Sequence, residues 1–222
     1  AQSDAPTHAD WIMCRLTEPA ATDDWMKDQT IEQVIASAEM IGAILEYGHD
    51  VNLNKKSATD RETATEIGFR IYSEGPVAIS EALTEIREAS QARAVQAGPL
   101  AIYGGLFDWL DRRAKQVDPG PIKDILREHI IRHSAVGKGE KILGVEIEQR
   151  TYHSLNSLAE TTGIERRRLS RLLQNLGQVP TGATDAESGL LVFPAEDVES
   201  LCDDAADAVL LHDAPDYISA SK

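Results

Sequence analysis

The residues best suited to chemistry in this sequence are clustered arginines. Between residues 150 and 180 stand Arg150, Arg166, Arg167, Arg168 and Arg171 against two acids, Glu160 and Glu165, a local excess of +3. The 222-residue chain as a whole carries a formal charge of −15, so everything outside this island sums to about −18. A guanidinium presents a planar fork of donors that matches a phosphate or the major-groove edge of guanine. Arg166, Arg167 and Ser170 are therefore candidates for base-edge or groove contacts, Arg168 and Arg171 for phosphate contacts, and Arg150 for a flanking basic contact. The competing explanation is a solvated face, or pairing of these arginines with the abundant acids of the chain. A bulk pI of 4.8 excludes a protein that coats nucleic acid through overall charge, so any contact with double-stranded DNA has to be local.

The elements that would position these arginines are legible around them. Ser154 is placed to cap a short helix, Ala159 is small where two helices must approach, and Gly163 supplies the positive φ of a tight turn. Ile164 fills the corner, and Leu169 and Leu172 are expected on the inward face of a second helix bearing the arginines. In such a helix-turn-helix, centred on residues 152–176, the early part of the second helix enters the major groove. Val179 and Leu190-Leu191-Val192-Phe193 are expected to form a hairpin or wing around the Gly182–Gly189 loop. A last helix is expected from Pro194, with Val198, Leu201, Cys202 and Val209 on one face and a highly acidic outer face that would repel phosphate.

Upstream, helical periodicity dominates. Thr30 and Gln33 have capping-box spacing before Ile31, Val34, Ile35, Ala38, Ile41 and Leu45. Asp60 is the expected cap of a second helix with Ala64, Ile67, Ile71 and Tyr72 on its apolar face, and Pro76 opens a third that runs toward residue 94. A fourth, about 99–115, carries Tyr103, Leu106, Phe107 and Leu110, and a fifth, to about 134, carries Ile122, Ile125, Leu126 and Ile130. The expected organisation is a poorly defined segment 1–29 with Trp11, Ile12 and Leu16 as anchors, an α-helical bundle 30–136, and a flexible linker 137–150. A helix-turn-helix domain, possibly winged, then fills 151–212, before a tail 213–222. The fold class is mainly α.

Other chemistries lack candidates. His129 and His133 lie one helical turn apart beside Glu128, but no third ligand has convincing spacing, so no metal or other cofactor is expected. No nucleophile triad, phosphate loop, dinucleotide signature or paired-carboxylate motif is visible, and the chain is expected not to be an enzyme. Trp25, Phe69, Phe107 and Trp109 are expected to pack rather than stack on a ligand. Two distant cysteines, Cys14 and Cys202, suit a reducing compartment, which makes the cytoplasm the default, and no apolar run approaches the roughly 20 residues of a membrane span.

Three stretches together resemble the TniQ family, proteins that help choose insertion sites for bacterial transposons. They are Ala38-Glu39-Met40-Ile41-Gly42-Ala43-Ile44-Leu45-Glu46-Tyr47-Gly48 with Gly68-Phe69 and Glu74-Gly75-Pro76 after it, then Leu126-Arg127-Glu128-His129-Ile130, and finally Ile147-Glu148-Gln149-Arg150-Thr151-Tyr152-His153-Ser154-Leu155. The resemblance spans about residues 30–200. It implies a non-catalytic accessory role in DNA transposition and recombination: target-site selection, with recruitment of a transposition ATPase regulator and a transposase. Members typically begin with a cysteine and histidine zinc-binding segment that is not found in this sequence, so no zinc is assigned. The alternative is a helix-turn-helix transcription regulator with a helical dimerisation or sensing domain, acting as a homodimer. A third reading is a protein-interaction scaffold in which the motif is structural.

Overall fold

A computed structural model describes residues 6–17, 25–90, 98–113, 118–189 and 191–198. The described residues are mainly helical, with two small antiparallel strand pairs. The chain divides into two compact units, one of residues 1–130 with 141–145 and one of residues 131–140 with 146–222.

The first unit is built on α1 (His8–Thr17), α2 (Ile31–Tyr47), α3 (Ala58–Glu74), α4 (Pro76–Ala89) and α5 (Pro99–Asp108), with α6 (Ile122–His133) following in the chain. The Thr30 hydroxyl accepts from Gln33 N–H at 3.1 Å and the Gln33 side chain accepts from Thr30 N–H at 2.8 Å, which satisfies two orphan donors at the start of α2. Ser57, rather than Asp60, caps α3. Asp60 is its reciprocal partner three residues on, its carboxylate accepting from Ser57 N–H at 3.2 Å. Pro76 opens α4 at a position where no amide donor is needed.

The apolar face of α3 is rotated from the one expected. Ala64, Thr65, Gly68, Phe69 and Tyr72 are buried, while Ile67 and Ile71 are half-buried. The cause is the crossing with α2. A Cβ built on Gly42 would lie 1.9 Å from the Ala64 carbonyl oxygen, and one built on Gly68 would lie 1.8 Å from that of Ala38. The helices touch backbone to backbone at these two glycines, and each helix offers an alanine four residues before its glycine. Larger side chains then close the seam on either side, with Tyr72 donating to Gln29 Oε1 at 2.7 Å and Trp25 Nε1 donating to the Tyr72 carbonyl at 2.7 Å.

The N-terminal segment contains structure that its irregular periodicity concealed. α1 buries Trp11 against Phe69, with ring centroids 5.7 Å apart, and His8 Nδ1 meets Glu66 Oε2 at 2.6 Å. Burial pushes the Glu66 carboxyl up, but the His8 hydrogen bonds and the charges of His8 and Arg70 outweigh it and hold the group below its ordinary 4.5. A depressed carboxylate contributes stability that is present above its unfolded value and lost as pH falls through its folded one. Urea unfolding of the first unit is thus expected to lose stability as pH falls below about 4.5, with a smaller loss in Glu66→Gln.

α5 breaks at Gly104, where φ is 50° and ψ −129°, and a five-residue π-helical turn, Trp109–Arg113, follows. Ile102, Tyr103, Leu106 and Leu110 are buried and Phe107 is half-buried. His129 on α6 is a core residue. Thr84 donates its only hydroxyl proton to the Ser80 carbonyl, so His129 Nε2–H must donate to Thr84 Oγ1 at 3.0 Å. Nδ1 is then the acceptor for the Tyr103 hydroxyl at 2.9 Å, and burial pushes the Tyr103 hydroxyl well above its ordinary value, which keeps it a donor. Among the described residues no group of three histidines, cysteines or acids is placed to hold a metal.

The segment expected to be a flexible linker contains a hydrogen-bonded hairpin, β1 (Lys141–Ile142) and β2 (Val145–Glu146). Its turn places Leu143 and Gly144 at φ 50° and 86°, the double positive φ that suits a two-residue hairpin loop. Flanking bonds from Gly139 N–H to Ile147 O and from Ile147 N–H to Glu140 O, both 2.8 Å, extend it.

Candidate nucleic-acid interface

The second unit is organised around β3 (Tyr152–Ser154), α7 (Leu155–Thr162), α8 (Arg166–Asn175), α9 (Asp185–Ser188) and β4 (Val192–Pro194). Ser154 caps α7, accepting from Ser157 N–H at 3.1 Å while Ser157 Oγ accepts from Ser154 N–H at 2.9 Å. Gly163 ends α7 in the left-handed conformation, φ 69° and ψ 5°, and donates its amide to the Ala159 carbonyl at 2.9 Å. The chain turns there, Ile164 is buried in the corner, and Glu165 starts α8 by accepting from Arg168 N–H at 3.1 Å. This is the expected helix-turn-helix connection, now with its backbone bonds.

Leu155, Leu158, Ile164, Leu169, Leu173 and Val179 share one core with Phe193 and Val198. Leu173, not Leu172, is the fully buried partner of Leu169, one turn along the same face, and Leu172 is half-buried. The expected wing is also corrected. Val192–Pro194 pair antiparallel with Tyr152–Ser154, Ser154 opposite Val192 and Tyr152 opposite Pro194, so the strands bracket the two helices instead of forming a hairpin around the Gly182–Gly189 loop. That loop holds α9, whose start is fixed by reciprocal bonds between Thr184 and Glu187. These bonds hold the Glu187 carboxyl below its ordinary value. Residues 195–198 are helical; the remainder of the expected acidic helix and the tail lie outside the described residues.

The arginines separate into three situations. Successive residues of a helix step by about 100°, so Leu169, Ser170 and Leu173 share one arc of α8 while Arg167, Arg168 and Arg171 share the opposite one. All three of these arginines are exposed, and among the described residues no acidic side chain pairs with them. Four arginines of the first unit do find acids: Arg61 pairs with Glu39, Arg70 with Glu66, Arg112 with Asp108 and Arg127 with Asp124. Arg166 is also exposed, but it stands on the first turn at the angle of the buried arc and has a further interaction of its own.

Two expected site residues fall away from this surface. Ser170 is 7% exposed, because its angle on α8 places it between Leu169 and Leu173 on the core side. It is not available for a groove contact. Arg150 is half-buried, donates from Nη1 to the Ala135 carbonyl at 3.2 Å and lies over Gly137, which makes it an anchor of the turn before β1.

Fold and site define a mainly helical chain whose second unit is a helix-turn-helix bracketed by a short strand pair, with a bare arginine stripe on its second helix. No protein-family model matches the chain, and no curated protein or solved structure matches it either. Among the described residues no helix is long and apolar enough to cross a membrane.

Proposed function

We propose that the chain is a non-catalytic adaptor that binds double-stranded DNA through Arg167, Arg168 and Arg171 and docks proteins through its acidic helical unit. The observation that carries this reading is the contrast in arginine partners. Four arginines of the first unit pair with acids, whereas Arg167, Arg168 and Arg171 face solvent. Arg166, Arg167 and Arg168 occupy the first turn of α8, directly after the Glu165 carboxylate that caps it. Their charge opposes the positive end of the helix dipole, and the Glu165 carboxylate offsets part of that opposition. A phosphate against the exposed face of α8 would be attracted by the guanidinium groups of Arg167, Arg168 and Arg171.

Within this reading, the likeness of the sequence to the TniQ family supports target selection in DNA transposition, with a transposition ATPase regulator and a transposase as the partners recruited. Neighbouring genes for an ATPase and a transposase would accord with it. The physical test is fluorescence anisotropy of a labelled duplex at low salt. Wild type is expected to bind, and a variant with Arg167, Arg168 and Arg171 all changed to alanine is expected to lose most of that binding. Equal binding by the two proteins would remove α8 from the interface.

A further inference from the structure

The first unit holds an open groove of about 760 Å³ between the chain at residues 49–54 and α5 with the turn after it. That volume is within the range of ligand sites, roughly 300–1,000 Å³. Its floor is backbone. Gly104 presses so close to the preceding loop that a Cβ there would stand 2.4 Å from the His49 carbonyl oxygen, and Gly105 adds no side chain.

The charged part of the lining is acidic, and the Asn52 and Asn54 carboxamides beside it both donate and accept. Asp50 is exposed and has no partner among the described residues, and Asp108 pairs with Arg112 at 3.0 Å, one oxygen to one nitrogen, on a largely exposed arginine. His49, also in the lining, is held by Nε2–H donating to the Ile86 carbonyl at 2.8 Å. Among the described residues no lysine or arginine lines the groove, and half-buried Trp109 contributes an aromatic wall beside Met40 and Leu100.

We infer that this groove binds an arginine side chain of a basic peptide segment on a partner protein. A guanidinium has five donors and no acceptor, stacks on an aromatic face and is weakly hydrated. Its charge and planar face match the Asp50 and Asp108 carboxylates and the Trp109 ring, and the net charge of −15 attracts a basic partner toward them. The site is built from residues of the first unit, and the inference does not depend on DNA binding by α8.

The test uses the full chain, ¹⁵N-labelled, and two probes: an acetylated Gly-Arg-Gly-Arg-Leu amide and the same peptide with citrulline for arginine. The chain has three tryptophans, Trp11, Trp25 and Trp109, so each indole N–H gives one resolvable signal, assigned with Trp109→Phe. The arginine peptide is expected to shift the Trp109 signal saturably. Unmoved Trp11 and Trp25 signals report that the fold is intact. Asp50→Asn, at an exposed position, should weaken binding at least about tenfold, and Ala101→Trp, on the exposed face of α5 at the groove wall, should block it. An equal shift by the citrulline peptide would overturn the inference. So would binding undiminished in both variants, or diffuse shifts of surface amides that leave Trp109 in place.

Discussion

Gly68→Ala is expected to lower the melting temperature of the first unit by about 10 °C. Its new methyl group would be directed at the Ala38 carbonyl oxygen from 1.8 Å. Most overpacked sites relieve strain by turning a side chain, at a cost of about 1–3 kcal/mol. Here both surfaces are helix backbone, so relief requires α2 and α3 to separate and the contacts of Phe69 and Tyr72 to loosen with them. The cost belongs at or above the upper end of that range, and about 1 kcal/mol corresponds to several degrees for a domain of this size. Gly42→Ala meets the Ala64 carbonyl at 1.9 Å and should cost about as much. The double variant should cost clearly less than the sum, because one separation accommodates both methyl groups. Gly105→Ala is the control: its Cβ would meet Met40 Cε at an ordinary 3.5 Å, and a better helix former there should leave the melting temperature unchanged or raised. Calorimetry of wild type and the four variants distinguishes a glycine-dependent crossing from a general intolerance of larger residues.

Replacing Arg167, Arg168 and Arg171 together with alanine is expected to weaken duplex binding about a hundredfold near 0.1 M salt. If the three contact phosphates, the plot of log affinity against log salt should also flatten by about 2–3 units, since each neutralised phosphate contributes about 0.9. Lysine replacements separate the two uses of arginine. Phosphate contacts survive as point charges and the salt slope is retained, whereas bidentate contacts to guanine are lost and sequence discrimination falls. Ser170→Ala should leave affinity unchanged, because the hydroxyl is on the core side of α8. Arg150→Ala should act mainly on the stability of the turn it anchors, with little change in salt slope. Anisotropy titrations at several salt concentrations measure all five proteins.

What was legible in the residues follows the range of the interactions. Thr30, Pro76, Ser154 and Gly163 act on backbone within four positions of themselves, and each takes the structural role its type and spacing predict. Contacts between elements were harder. The crossing of α2 and α3 turns on Gly42 and Gly68, residues that a count of apolar side chains passes over, although Ala38 and Gly42 on one helix and Ala64 and Gly68 on the other carry the same small-residue spacing. β3 and β4 are three residues each and lie about 40 positions apart, too short for alternation to reveal and too distant for a turn signal to join. The arginine stripe was visible as composition, but which members face outward depends on the helical angle. That angle, applied to Leu169 and Leu173, assigns Ser170 to the core, and only tertiary contacts could show Arg150 holding the Ala135 carbonyl. The groove beside Trp109 had no sequence signal, because its floor is a glycine kink and its acceptors come from segments some fifty residues apart.

The most direct measurement of the central claim is protection of individual arginines from a dicarbonyl reagent, read by mass spectrometry with and without duplex DNA. DNA binding through α8 predicts that Arg167, Arg168 and Arg171 react readily in the free protein and are protected in the complex. Arg61 and Arg112, paired with acids in the first unit, should be modified to the same extent in both. A complex in which the α8 arginines stay reactive, or in which all arginines are protected alike, would contradict it.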